Sequence, residues 1–287
     1  MIAMNNEVRQ ILCDLLAHYG HSICNDPYRC KALLKDYCGQ QKREISILIA
    51  SIKAQIPRDL INASKGFHIF KPNLINRLHE HHGIAHEFTE WAVDSWAFAL
   101  ENSEIRFAAK NGNADAQNAL GSQYRDGTVC KQDYLEAVKW YRLAADQGHA
   151  DAQINLGLIY QNGRGVQKSD QEAVQWYQRA AQQGNADAQV NLGFMYQNGR
   201  GVQKSDQEAV QWYQRAAEQG NADAQYNLGF MYQNGQGVQK SDQEAVQWYQ
   251  RAAEQGNSFG QRNLGSMYRD GRGVPQSDQE AVKWYQR

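Results

Sequence analysis

Residues 113–287 are one unit written five times. The register restarts at Asn113, His149, Asn185, Asn221 and Asn257, a spacing of 36 residues. The third copy reads NADAQVNLGFMYQNGRGVQKSDQEAVQWYQRAAEQG, and the fourth departs from it only at Val190/Tyr226 and Arg200/Gln236. Self-similarity at this period marks a stacked architecture in which each unit buries a face against the next, and it overrides any globular reading of the same stretch. Such a stack offers an extended surface and seldom a reaction chamber.

Within a copy the pattern predicts two helices. In the third, Asn185 is placed to cap the first helix, and Asp187 puts a carboxylate in its first turn, where the helix dipole favours it. Ala188, Leu192 and Tyr196 recur at i, i+4, i+8 and make one apolar stripe. Gly193 costs roughly 1 kcal/mol against alanine in a helix. Its recurrence as Gly121, Gly157, Gly229 and Gly265 implies a close approach by a neighbouring helix. Asn198-Gly199 ends the helix, with Gly199 suited to the left-handed terminal position. After the loop, Ser205 and Glu208 read as a reciprocal capping box, repeated as Ser169/Glu172, Ser241/Glu244 and Ser277/Glu280 and replaced by Asp133/Glu136 in the first copy. Ala209, Trp212, Tyr213, Ala216 and Ala217 form the buried stripe of the second helix, which Gly220 terminates.

The elements ADAQ-x-NLG-x-MY (Ala186–Tyr196), GRGV (Gly199–Val202) and EAV-x-WY-x-RAAEQG (Glu208–Gly220) resemble the Sel-one-like repeat (SLR) family, a relative of the tetratricopeptide repeats. The resemblance covers all five copies. It implies an all-α fold, a right-handed α/α superhelical solenoid with the first helices lining its concave side, and a role in assembling proteins, often in signalling or protein quality control. The fifth copy departs: Ser258, Phe259 and Gly260 replace Ala-Asp-Ala, and Arg287 comes before the RAAEQG end. A solenoid needs a polar terminal cap, so the expectation is that the array is cut short or that its uncapped end packs on something, a second copy included.

Positions that vary between copies mark the expected ligand face. The sixth reads Asn118, Ile154, Val190, Tyr226, Arg262 and the tenth Ser122, Leu158, Phe194, Phe230, Ser266. Four residues apart, they share one helix face, which the tetratricopeptide-like resemblance puts on the concave side. The same resemblance adds Asp151, Asp187, Asp223, Gln161, Gln197, Gln233, Asn162, Asn198 and Asn234. The stripe is apolar in the middle copies and polar at both ends. That suits an extended peptide, with anchors for its side chains and amides for its backbone. First helices about 10 Å apart give a groove of roughly 40 Å, room for about a dozen extended residues. The competing reading is that Leu158, Phe194 and Phe230 only fill the space between helices.

The first hundred residues lack the period. Val8, Ile11, Leu12, Leu15, Leu16 and Tyr19 predict a helix ending at Gly20. Asp26-Pro27 opens another, through Leu33, Leu34 and Tyr37 to Gly39. Ile45, Leu48, Ile49 and Ile52 mark a third, closed before Pro57; Leu74, Ile75 and Leu78 a fourth, ending at Gly83; Trp91, Val93, Trp96, Phe98 and Leu100 a fifth. This gives a small helical-bundle domain over 1–101. Residues 102–112, with Ile105–Gly112 imitating the RAAEQG ending, form a half-repeat that caps the array of 113–287. CNDPYRCKALLKDYCGQQKREI and EWAVDSWAFAL resemble an N-terminal helical module of multidomain bacterial signalling proteins, which implies an adaptor role through homotypic contacts.

The remaining signals exclude more than they add. With 30 basic and 31 acidic residues there is no electrostatic footprint for nucleic acid or an anionic membrane. The start MIAMNNEVRQILCDLL has no basic n-region before an apolar core, and no apolar run approaches the roughly 18 residues of a membrane span. Cys13, Cys24, Cys30, Cys38 and a solitary Cys130 fit reduced thiols in a cytoplasm better than a disulfide framework. Zinc is not expected: the cysteines lack paired spacing, Cys30 and Cys38 fall on the buried side of a helix, and His79-Glu80-His81-His82 with His86 is not HExxH. GRG lacks the GxGxxG spacing of a phosphate cradle, and no nucleophile–base pair stands out. The expected function is a non-enzymatic scaffold, without cofactor or metal, that holds a peptide segment of a partner protein. The alternative is an adaptor acting through residues 1–101, with self-association there and the repeats as spacer. A hydrolase or metal-dependent enzyme is the third reading.

Overall fold

The structure, a computed structural model, describes residues 6–38, 41–62, 67–128 and 132–286. Gly39, Cys130 and the side chain of His81 lie outside what is described. Among the described residues all regular structure is helical, and the chain divides into two compact units, Met1–Leu143 and Ala144–Arg287.

The first unit holds α1 (Asn6–Tyr19), α2 (Pro27–Cys38), α3 (Lys42–Lys53), α4 (Ile56–Asn62), α5 (Phe67–His82), α6 (His86–Lys110), α7 (Ala114–Asp126) and most of α8 (Tyr134–Asp146). Its core joins Leu12 and Leu16 of α1, Leu34 of α2, Leu48 and Ile52 of α3, and Trp91 and Trp96 of α6. Asp26 caps α2 as expected, its Oδ1 accepting from the N–H groups of Tyr28 and Arg29 at 3.1 and 2.9 Å. Two features differ from the sequence reading. α3 ends at Lys53, before Pro57 as expected, but Pro57 then sits in the first turn of a further helix, α4, that the sequence reading did not include, where a missing N–H costs nothing, and Gln55, at φ 61°, makes the sharp link from α3. The fifth expected helix also runs on through residue 110, so 86–110 is one continuous rod. The end of that rod meets α7 as a second helix meets the following first helix elsewhere: Gln117 Nε2 donates to Ala109 O at 3.0 Å.

The second unit is a stack of helix pairs, α9 (Ala150–Asn162) with α10 (Asp170–Gln182), α11 (Ala186–Asn198) with α12 (Asp206–Glu218), α13 (Ala222–Asn234) with α14 (Asp242–Glu254), and α15 (Ser258–Asp270) with α16 (Asp278–Tyr285). Each pair closes on a glycine. A Cβ on Gly193 would stand 2.7 Å from the ring of Tyr213, which has no exposed surface. The recurrent glycine therefore admits a tyrosine ring of its own repeat's second helix. Gly199, at φ 64°, caps α11 in the left-handed conformation.

The Ser–Glu box is only half formed. Ser205 Oγ accepts from Glu208 N at 3.2 Å, but the Ser205 N–H donates to Tyr196 O at 3.0 Å. The carbonyls left open at the end of each first helix need donors, and the loop supplies one by returning the next cap residue to them. The same bond recurs from Asp133, Ser169, Ser241 and Ser277. The serine therefore ties the two helices of a repeat together as well as starting the second.

Candidate functional site

Buried glutamines hold consecutive repeats of the second unit in register. Gln189 Nε2 donates to Ala181 O of the preceding second helix at 3.2 Å, and Gln189 Oε1 accepts from Gln219 at 2.8 Å. Gln153 and Gln225 repeat both bonds. An amide buried this deeply is costly unless both ends are used, and here both are. This arrangement sets α9, α11, α13 and α15 side by side, with their sixth, tenth, thirteenth and fourteenth repeat positions forming a common face.

The face has a half-buried floor and an exposed crest. Ile154 packs against the cluster around Tyr177 and Leu192, Val190 against that around Tyr213 and Leu228, and Tyr226 against that around Tyr249 and Leu264. Of the tenth positions, Leu158 is 38% exposed and Phe194 42% exposed, while Phe230 is half-buried on the cluster around Tyr213 and Leu228 that joins copies three and four.

The polar residues of the face are tied into the joints. Gln161, Gln197 and Gln233 accept from the hydroxyls of Tyr177, Tyr213 and Tyr249 at 2.9, 3.0 and 2.6 Å. Their amide nitrogens approach the sulfurs of Met195, Met231 and Met267 on the next repeat. Asp187 and Asp223 accept from Asn221 and Asn257, the N-cap residues of the next repeat's first helix, at 2.8 and 2.7 Å; Asp151 receives Asn185 at 3.4 Å. Asn162, Asn198 and Asn234 each donate Nδ2 to the carbonyl four residues back at 2.8 Å. Surface capacity remains on the asparagine Oδ1 atoms and on the aspartate oxygens.

The tyrosine hydroxyls explain the pattern at position ten. Burial pushes the phenols of Tyr177, Tyr213 and Tyr249 upward, and a buried hydroxyl needs a partner. Where position thirteen is glutamine, that partner is the glutamine, and position ten is Leu or Phe. In the first and last copies position thirteen is Arg125 or Arg269, which cannot accept. There the hydroxyls of Tyr141 and Tyr285 meet Ser122 and Ser266 at position ten, each at 3.0 Å. Position ten thus has a hydrogen-bonding task in the outer copies and none in the middle three. The signal was present in the sequence as Ser-x2-Arg-Asp against Leu/Phe-x2-Gln-Asn, but it is intelligible only once the tyrosine is seen beside both positions.

A second joint was not anticipated. Arg200 of one loop forms two bonds with Asp170 at the start of the preceding second helix, at 2.7 and 3.1 Å, and Arg272 does the same with Asp242 at 2.8 and 3.3 Å. The following glycines, Gly201 and Gly273, lie so close to the Asp170 and Asp242 carbonyls that a Cβ would overlap them. Gly237 docks on Asp206 in the same way, yet Gln236 stands where the arginine would be.

Comparison with known proteins agrees with this geometry. The sequence profile of the Sel1 repeat matches residues 114–149, 150–185, 186–221, 222–257 and 258–287. The chain is similar to the crystal structure of a Sel1 repeat protein from Oxalobacter formigenes, at 39% identity over 66% of this chain and 76% of that one, with a TM-score of 0.61. It is also similar to c5321, a protective antigen present in uropathogenic Escherichia coli strains that displays an SLR fold, at 34% identity over 80% of this chain with a TM-score of 0.63; this chain spans 47% of that one. No curated protein sequence matches it.

Proposed function

Because the chain belongs to the Sel1 repeat family through the five copies of residues 114–287, we propose that it acts, as proteins built from this repeat generally do, as a non-enzymatic scaffold for protein–protein interaction. More specifically, it holds an extended segment of a partner across α9, α11, α13 and α15. Leu158, Phe194 and Phe230 are the anchors, over a floor of Ile154, Val190 and Tyr226. Asn162, Asn198, Asn234, Asp187 and Asp223 offer acceptors to the partner's backbone N–H groups. Gln161, Gln197 and Gln233 serve as posts that fix the tyrosines behind the face. The four described cysteines are buried and none is joined to another by a disulfide, which fits a reducing compartment such as the cytoplasm.

The observation that carries this reading is the exposure of Leu158 and Phe194 at positions with no hydrogen-bonding duty to the scaffold. Residues that fill a core have no reason to stand out of it, whereas buried apolar anchors account for most of the energy of peptide capture. The test uses random dodecapeptides displayed on phage and selected against the full chain. Peptides so selected should lose at least about 2 kcal/mol of affinity, roughly thirtyfold, for the Phe194→Ala/Phe230→Ala double variant. Undiminished affinity in a variant with unchanged helix content rules out the groove.

A further inference from the structure

Resting on that groove reading, we propose that the copy-five end of the face selects an acidic side chain, so that the bound segment carries apolar residues flanked at one end by aspartate or glutamate. The face changes sign along its length. In copies two to four the third position is a carboxylate, Asp151, Asp187 or Asp223, and the sixth is uncharged. In copy five Phe259 stands in place of the carboxylate and Arg262 in place of the uncharged side chain. The structure brings these changes together with an aromatic wall. Phe259 is 60% exposed, and its ring lies 5.5 Å, centroid to centroid, from that of Tyr226 on the preceding repeat. Arg262 follows Phe259 by three residues and so shares its helix face.

Arg262 is exposed, and among the described residues no carboxylate pairs with it. The other described cations of this copy are paired, Arg269 with Asp270 at 2.8 Å, Arg272 with Asp242 at 2.8 Å and Lys283 with Glu280 at 3.3 Å. A cleft of about 680 Å³ opens beside Arg262, which walls it with Ser266, Arg269 and Trp284. A guanidinium beside apolar rings attracts a carboxylate more strongly than one in open water, and its planar fork fits the two oxygens. The same site repels a basic residue. The carboxylates of Asp151, Asp187 and Asp223 along the rest of the face repel a polyanion, so the fit is one acidic residue at this end and uncharged residues beyond it.

The probes are the selected dodecapeptides, displayed with their C-termini in fusion and then synthesised as fluorescein-labelled C-terminal amides and as free acids. Fluorescence anisotropy with the full chain at about 50 mM salt keeps exposed charges visible. The enriched sequences should place Asp or Glu at one end of an apolar run, and exchange for Asn or Gln should weaken binding about fivefold. Arg262→Ala should abolish that difference, Arg262→Glu should shift the preference to Lys or Arg, and about 0.5 M salt should erase it. Circular dichroism confirms that these surface variants fold. Peptides without an acid that bind the parent and Arg262→Ala alike, yet still depend on Phe194, overturn this inference and leave the groove. Peptides that bind only as free acids overturn it in favour of a terminal carboxylate. Failure to select any peptide, or binding indifferent to Phe194→Ala, removes the groove and this inference with it.

Discussion

Copies three and four differ at two positions, and one of them decides a joint. Arg200 clasps Asp170 and Arg272 clasps Asp242, whereas Gln236 faces Asp206, whose Oδ1 is left buried without a hydrogen-bond partner, as is Gln236 Oε1. A glutamine offers Asp206 an uncharged amide donor in place of the cationic, two-pronged fork of arginine. Because Gly237 docks on the Asp206 carbonyl as Gly201 and Gly273 dock on theirs, an arginine at 236 would start from the same backbone. The side chains of the Arg200–Asp170 pair keep 32% and 26% of their surface exposed, so the gain is that of a well-formed, partly screened pair. Gln236→Arg should therefore stabilise the array by about 1 kcal/mol, or about 2–4 °C in midpoint for a unit of this size, read by calorimetry and by urea titration. Arg200→Gln should cost a similar amount. The pH dependence follows from the hydrogen bond of Arg200, which holds the Asp170 carboxyl below its usual range. A depressed carboxyl contributes stability above its unfolded value of about 3.9 and loses it as the pH falls through the folded value. The benefit of Gln236→Arg should thus be complete at neutral pH and vanish in acid below that range. If neither substitution moves the midpoint, or if the gain persists unchanged in acid, the clasp does not work as described.

Three further outcomes are expected. Gly193→Ala should destabilise the array by about 1–3 kcal/mol in chemical denaturation despite alanine's helix propensity, because the new methyl meets the immobile ring of Tyr213; an unchanged midpoint would show that the ring can yield. Tyr213→Phe should cost about 1 kcal/mol by removing the donor to Gln197 Oε1, an effect absent if water replaces the hydroxyl. Burial pushes the thiols of Cys24 and Cys30 up to about 12 and that of Cys38 to about 11. They should react with iodoacetamide at pH 8 far more slowly in the native chain than in urea, and equal rates would mean that the N-terminal core is open.

The repeats were the most legible part of the chain because their constraints are local. The asparagine caps, the left-handed glycines and the Gly–Tyr approach each follow from a few neighbouring residues seen five times over. Where a bond spans two elements, sequence alone misled: Ser205 N–H looked destined for Glu208 and goes instead to Tyr196 O. The proposed anchors Leu158 and Phe194 were legible as variable positions, but their freedom depends on the Tyr–Gln bond behind them. Gln161, Gln197 and Gln233 read as surface amides because nothing in their spacing reveals a tyrosine sixteen residues on. In the N-terminal unit Pro57 reads correctly as lying beyond the third helix, but it also belongs to the first turn of α4, because proline is favoured both after a helix and at the start of one. The aromatic and cationic end of the face, Phe259 with Arg262, was visible only as a departure from the repeat until the ring of Tyr226 was found beside it.

The most direct test follows where a bound peptide slows amide hydrogen exchange along the full chain. With a selected dodecapeptide at saturation, slowing should concentrate in α9, α11, α13 and α15, while α1 to α5 exchange as in the free protein. Slowing confined to α1 to α6, with the first helices of the repeats untouched, would contradict binding on the repeat face and move the business of this protein to its N-terminal unit.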